Sequence, residues 1–207
     1  MLTRRNFLAI ATATATALLA GCSGEKDEAP AADPATEPVE DAPAADAEPA
    51  GNVLVAYFSA TGNTEGVGTA IAERLGADVF AIEAAQPYTE ADLNYSDDAS
   101  RTSVERADGT NPELAQVTPD GWADYDTVLL GYPIWWGEAA WPLRTFVEGN
   151  DFDGKTVVPF CTSGSSGIGG SADGLEELAG SGDWRGGARF SAGAGDDAAD
   201  WAAGLGL

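Results

Sequence analysis

Three short runs, Val53–Phe58, Asp126–Tyr132 and Lys155–Phe160, are almost continuously apolar. A strand that faces water on one side alternates apolar with polar residues. A continuous apolar run of this length suits a strand covered on both faces. Each run leads through a polar, glycine-bearing segment toward a stretch with helical character: Glu65–Leu75, Trp141–Glu148 and Ser171–Ala179. Asp78–Glu83 predicts a further strand and Ala188–Ser191 a weak one, and Asp196–Gly204 predicts a last, Ala-rich helix carrying Trp201. Strands alternating with helices predict a parallel sheet with helices on both faces. The stretch 84–120 is the least readable. Ala99–Ala107 has room for a helical turn or two, and Asn111-Pro112 and Thr118-Pro119 mark turns. Connections of that length are often functional or carry local helix.

The first fifty residues read differently. Arg4 and Arg5 precede an apolar run from Leu8 to Ala20, shorter than the roughly 20 residues of a membrane span. The segment Thr3–Leu8 resembles a twin-arginine export signal, and Leu19-Ala20-Gly21-Cys22 resembles a bacterial lipobox. That resemblance makes residues 1–22 a lipoprotein signal with Cys22 as the lipidated residue. It implies export and a membrane anchor facing outside the cytoplasm. The alternative is an ordinary N-terminal anchor helix with Cys22 a bystander. Residues 23–50 are mostly Ala, Pro, Asp and Glu, with nine acids and one base. Such a segment buries too little apolar surface to offset its chain entropy, so it is expected to be a disordered tether. Residues 51–207 are left as one domain of ordinary size.

Composition removes whole classes of chemistry. The 207-residue chain has no His, which excludes a Ser-His-Asp triad, a Cys-His pair and His-ligated metals. Two cysteines, Cys22 and Cys161, make neither a Cys-rich zinc site nor a disulfide scaffold. A net charge of −24 argues against nucleic-acid binding. Residues 51–207 carry seven bases and 25 acids.

Three loops concentrate the remaining chemistry. Ser59-Ala60-Thr61-Gly62-Asn63-Thr64 joins the first strand to the first helix. Gly62 permits a tight path, and the loop feeds a helix N-terminus, where free N–H groups and the dipole favour an anion. It contains no Lys or Arg, so a phosphate there would be held by neutral donors. A P-loop and a dinucleotide fingerprint are both excluded by its sequence. A polar capping loop without ligand is the alternative. Gly131-Tyr132-Pro133-Ile134-Trp135-Trp136-Gly137 follows the third strand, at the sheet edge where open α/β folds bind ligands. Adjacent indoles offer a flat wall for a planar ring, and one of the pair is expected to pack under the next helix, with Trp141. The run Cys161–Gly170 follows the fourth strand and is rich in Gly and Ser. Its backbone N–H groups could approach a ligand edge. Cys161 is either a buried small residue or a thiol near that ligand.

These residues carry a family resemblance. Val53–Thr64 resembles the first strand and FMN phosphate loop of flavodoxin, and the other two loops resemble the flavin-ring loops of a bacterial flavodoxin-like subfamily. The resemblance implies an α/β three-layer sandwich with a five-stranded parallel sheet in the order 2-1-3-4-5. It implies FMN as cofactor. Ser59, Ala60, Thr61, Gly62, Asn63 and Thr64 would bind its phosphate. Pro133, Ile134, Trp135, Trp136 and Gly137 would cover one side of the ring, and Cys161, Thr162, Ser163, Gly164 and Gly167 would lie at its pyrimidine edge. The loop after Cys161 lacks the Tyr that electron-carrying flavodoxins commonly place against the flavin. Tyr88 and Tyr95 are candidates to approach the ring from 84–120. No catalytic acid–base residue and no metal are expected. The functions implied are an FMN electron-transfer protein, an FMN-dependent reductase of a small acceptor such as a quinone, or a flavodoxin-fold binding module without FMN. The acidic charge predicts a redox partner protein with a basic docking face.

Overall fold

The computed structural model describes residues 52–207. The expected signal, Cys22 and the tether lie outside the described residues.

Strand β1 (Val53–Phe58) lies second from one edge of the sheet. It pairs in parallel with β2 (Asp78–Ile82) on one side and β3 (Thr127–Trp135) on the other. Next to β3 lies β5 (Thr156–Thr162), again parallel. Two short strands, β6 (Asp183–Trp184) and β7 (Ala188–Phe190), share the far side of β5. The two-residue strand β4 (Glu138–Ala139) turns back antiparallel on the end of β3. Counting β6 and β7 as one interrupted edge strand, this is the order expected from the sequence.

Successive side chains of a strand point to opposite faces, and the continuous apolar runs therefore feed two cores. Leu54, Ala56 and Phe58 join Val128, Leu130 and Tyr132 under helices α3 (Pro142–Glu148) and α4 (Ser171–Ala179). Val55 and Tyr57 join Leu129, Val158 and Phe160 under α1 (Asn63–Leu75) and α5 (Gly195–Ala203). Each Leu, Ile, Val or Phe fully buried in these layers contributes on the order of 1.5–3 kcal/mol.

The edge strand is split for a local reason. β6 pairs with Thr156 and Val157, and β7 pairs with Phe160 to Thr162. Between them in β5 sits Pro159, whose nitrogen has no proton to donate. The chain crosses this gap at Gly187, where a Cβ would fall 2.3 Å from the Pro159 carbonyl oxygen.

Two expected loops begin later than the sequence reading places them. β3 continues through Pro133, Ile134 and Trp135, and β5 continues through Cys161 and Thr162. The ladder itself holds them, since Tyr132 pairs with Cys161 and Pro133 with Thr162. Helix α1 starts at Asn63, two residues earlier than expected.

The unreadable stretch is an insertion with a clamped neck. Ala84 bridges Leu114, with Ala85 N donating to Glu113 O at 2.8 Å and Ala115 N to Glu83 O at 2.9 Å. Beyond the neck lies α2 (Arg101–Asp108), whose N-cap Ser100 accepts from Ser103 N.

Candidate functional site

The site forms where β1, β3 and β5 end. β1 gives way at Ser59, and Gly62 turns with φ of 82°, a left-handed conformation that suits a residue without Cβ. Helix α1 then begins without a side-chain cap. The first N–H groups of an α-helix have no intrahelical acceptor, and its dipole adds partial positive charge there. The loop side chains from Ser59 to Thr64 are uncharged, and Glu65 is the one acid in the first turn of α1. Asn63 Nδ2 donates to Thr61 Oγ1 at 3.1 Å, which fixes both. Thr64 is buried and shares a 2.7 Å hydrogen bond with Thr162 Oγ1. The Ser59 hydroxyl is buried with no hydrogen-bond partner among the described residues. An orphaned buried hydroxyl costs about 1–3 kcal/mol. An incoming anion removes that penalty, so this cradle fits a phosphate.

Beside the cradle runs a groove of about 370 Å3. Ala60 and Thr61 form its floor near the cradle, Pro133 to Trp136 one wall, and Leu93, Tyr95 and Thr102 the wall from the insertion. It continues along Tyr88, Glu90, Ala91 and Asn94 into a second hollow of about 690 Å3.

The tryptophan wall is held unusually firmly. Trp136 and Gly137 form the two-residue loop of the β3–β4 hairpin, with φ of 48° and 87°. Both positive values suit the tight hairpin turn whose twist matches that of its strands. For a bulky residue such a φ costs about 1–3 kcal/mol, and it is tolerated where surrounding contacts fix it. Here they do. The Trp136 indole stacks on Trp141 with centroids 6.0 Å apart and planes 15° apart, and the Arg106 guanidinium lies 5.5 Å from its ring. Trp135 meets Phe58, Tyr88 and Trp141 edge-on. Both tryptophans of the pair therefore pack on Trp141, and both stay half-buried along the groove. Trp141 is the enclosed member, 1% exposed, donating Nε1–H to Thr102 O at 3.3 Å.

The two tyrosines of the insertion occupy different situations. The Tyr88 hydroxyl donates to Glu105 Oε2 at 2.7 Å, and Arg101 both pairs with Glu105 and covers the Tyr88 ring at 4.1 Å. Burial and then the Glu105 carboxylate hold its hydroxyl far above the ordinary tyrosine range. Its hydrogen bond to Glu105 pins the insertion. Tyr95 is 76% exposed and borders both hollows.

The third loop stands beside the cradle. Thr162 reaches it through Thr64. Ser163 N donates to Phe190 O at 3.0 Å, and Ser163 Oγ accepts from the N–H groups of Ser165 and Ser166. Gly164 and Gly167 are exposed, and none of these residues borders the groove. Cys161 is fully enclosed in the core with Tyr132 and Leu175. Burial pushes its thiol up to about 11, with Arg189 pulling slightly back.

Sequence reading missed Leu93, Thr102 and Arg106, which shape the insertion side of the site. The insertion has no periodic apolar pattern that could have singled them out.

A family model for flavodoxin matches residues 52–204. The chain belongs to the flavodoxin family. Among solved structures, this flavodoxin-family chain is similar to a candidate flavoprotein from Bacteroides eggerthii: 39% identity, TM-score 0.69, covering 75% of this chain and 98% of that one. A candidate flavoprotein from Bacteroides uniformis gives 40% identity and TM-score 0.68, covering 73% and 97%. A flavoprotein from Lactobacillus acidophilus, solved in complex with FMN, shares the fold at 21% identity and TM-score 0.55, covering 74% and 99%. No curated protein sequence matches the chain.

Proposed function

We propose that this chain is an FMN-binding electron-transfer protein, exported and held outside the cytoplasm by a lipid on Cys22. The observation that carries the FMN reading is the unpartnered buried Ser59 hydroxyl in a neutral N–H cradle, opening directly onto an aromatic-walled groove. Family membership and the FMN complex of the Lactobacillus acidophilus protein support it. Ser59, Thr61, Gly62, Asn63 and Thr64 would hold the phosphate. Pro133, Ile134, Trp135 and Trp136 would face the ring, with Gly137 completing their turn and Thr162, Ser163, Gly164 and Gly167 nearby.

Bound FMN supplies the one- and two-electron redox chemistry. The chain's own contribution is binding and electrostatics. Trp135 and Trp136 would cover one side of the ring and shield it from water. Seven bases against 25 acids in residues 51–207 oppose added negative charge near the ring, which lowers the reduction potential. The same charge favours docking to a basic partner protein.

The second reading is an FMN-dependent reductase of a small acceptor, and the adjoining 690 Å3 hollow favours it. Turnover with a reduced nicotinamide and a quinone separates it from the carrier.

The full-length protein is expected to be purified yellow, or to become so on adding FMN, with the absorption spectrum of a protein-bound flavin. A protein that stays colourless after FMN addition sinks both redox readings and leaves a binding module. The export route has its own test. Replacing Arg4 and Arg5 by Lys is expected to retain the protein in the cytoplasm, and undiminished surface display of that variant counts against it.

A further inference from the structure

One aromatic side chain of the groove has no packing role in the fold. Tyr95 is 76% exposed, its ring is in none of the aromatic contacts, and its hydroxyl has no hydrogen-bond partner among the described residues. Its neighbours Thr89, Asp92, Asn94, Ser96 and Asp97 are the polar residues expected of a solvent loop. A large ring among them faces the groove rather than the core.

The backbone that carries it is fixed. Ser96 N donates to Asn94 Oδ1 at 3.1 Å, and Asp97 N to Asn94 O at 3.1 Å. Thr102 donates to Asp92 O through both N and Oγ1. Only the two side-chain torsions of Tyr95 are then left to order, and an aromatic ring loses little entropy when they are set.

Its position is a boundary. With Leu93, Ala60 and Thr61, Tyr95 borders both the 370 Å3 chamber and the 690 Å3 hollow. The first chamber holds Trp135 and Trp136, and the second holds no tryptophan.

We propose that Tyr95 packs against the flavin ring in the tryptophan-lined chamber and separates it from the outer hollow. This rests on the FMN reading above. The aromatic quadrupole favours an offset or edge contact with a planar ring, and the contact buries area that the unliganded protein leaves in water. Tyr95 would thereby set how much of the ring a small acceptor can reach.

FMN and riboflavin share the ring and differ in the phosphate, so titrating the apo form of the full-length chain with each separates the two parts of the site. Tyr95→Ala is expected to weaken both flavins by the same factor, about threefold to tenfold. Tyr95→Phe is expected to restore the affinity. Ser59→Ala, acting at the phosphate, is expected to weaken FMN more than riboflavin. Thermal melting of apo Tyr95→Ala is expected to match the parent, because the side chain supports no core contact. Unchanged flavin affinity in Tyr95→Ala overturns the proposal, and so does a loss in Tyr95→Phe as large as that in Tyr95→Ala. A parent protein that binds neither flavin overturns the FMN reading itself.

Discussion

Trp141→Ala is expected to lose about 3–5 kcal/mol of folding stability, the range for truncating a fully buried aromatic. The side chain is 1% exposed and gathers four separate contacts. Trp136 stacks on it, Trp135 meets it edge-on, Arg144 lies 4.7 Å from its ring, and its Nε1–H reaches Thr102 O. Removing it leaves a void beneath the hairpin and frees the insertion from its attachment to that indole. Trp136 then has less to hold its left-handed backbone, so the groove wall loosens with the core. Trp141→Phe keeps a stacking surface but drops the hydrogen bond, and is expected to cost less. Urea denaturation followed by circular dichroism measures both. A loss under about 1 kcal/mol in Trp141→Ala would mean that the wall stands without its support.

The second large effect is alkaline destabilisation between pH 9 and 11. The Cys161 thiol has an ordinary value of 9.0 and is pushed up to about 11 in the folded chain by burial. Above pH 9 the unfolded chain releases this proton while the folded chain keeps it. Stability is therefore full below pH 9 and falls as pH rises toward 11, by at most about 3 kcal/mol for a two-unit shift. Tyr132, fully buried and bonded to Ser171, is raised in the same direction by burial and adds to the loss at higher pH. Denaturation midpoints at pH 8 and pH 10.5 are expected to separate clearly in the parent. Cys161→Ala should show a smaller separation. Equal separations would remove the thiol as a cause.

The two cores were legible because β1, β3 and β5 are apolar on both faces, and that pattern is rare outside a covered parallel sheet. The connection from β1 to α1 was legible because polar side chains and a glycine fall between a strand and a helix, although Asn63 and Thr64 already belong to α1. The ends of β3 and β5 were not. Pro133 and the Cys161-Thr162 pair look like loop residues locally, and only the cross-strand register holds them in the ladder. The edge was read only in part: Ala188–Ser191 was expected as a weak strand, whereas β6 was not, and Pro159 in β5 separates the two. The insertion was opaque for a different reason. Its order comes from single contacts such as Tyr88 with Glu105 and Thr102 with Asp92, which no periodicity announces. Trp136 was singled out as an aromatic, but its turn conformation depends on contacts with Trp141 and with Arg106, the latter far off in the chain.

Parallel strands give the sheet two unlike poles. All three loops of the site leave from the C-terminal pole of β1, β3 and β5. Asn52 enters at the other pole, where it shares a surface hollow with Leu75 to Asp78 and Leu207. Six residues of β1 separate entry from cradle, a span of roughly 20 Å at about 3.3 Å per residue. A pull on the chain ahead of Asn52 is therefore felt at the far pole from the groove. Anything that holds the domain by that end leaves the mouth of the groove free to meet whatever diffuses toward it.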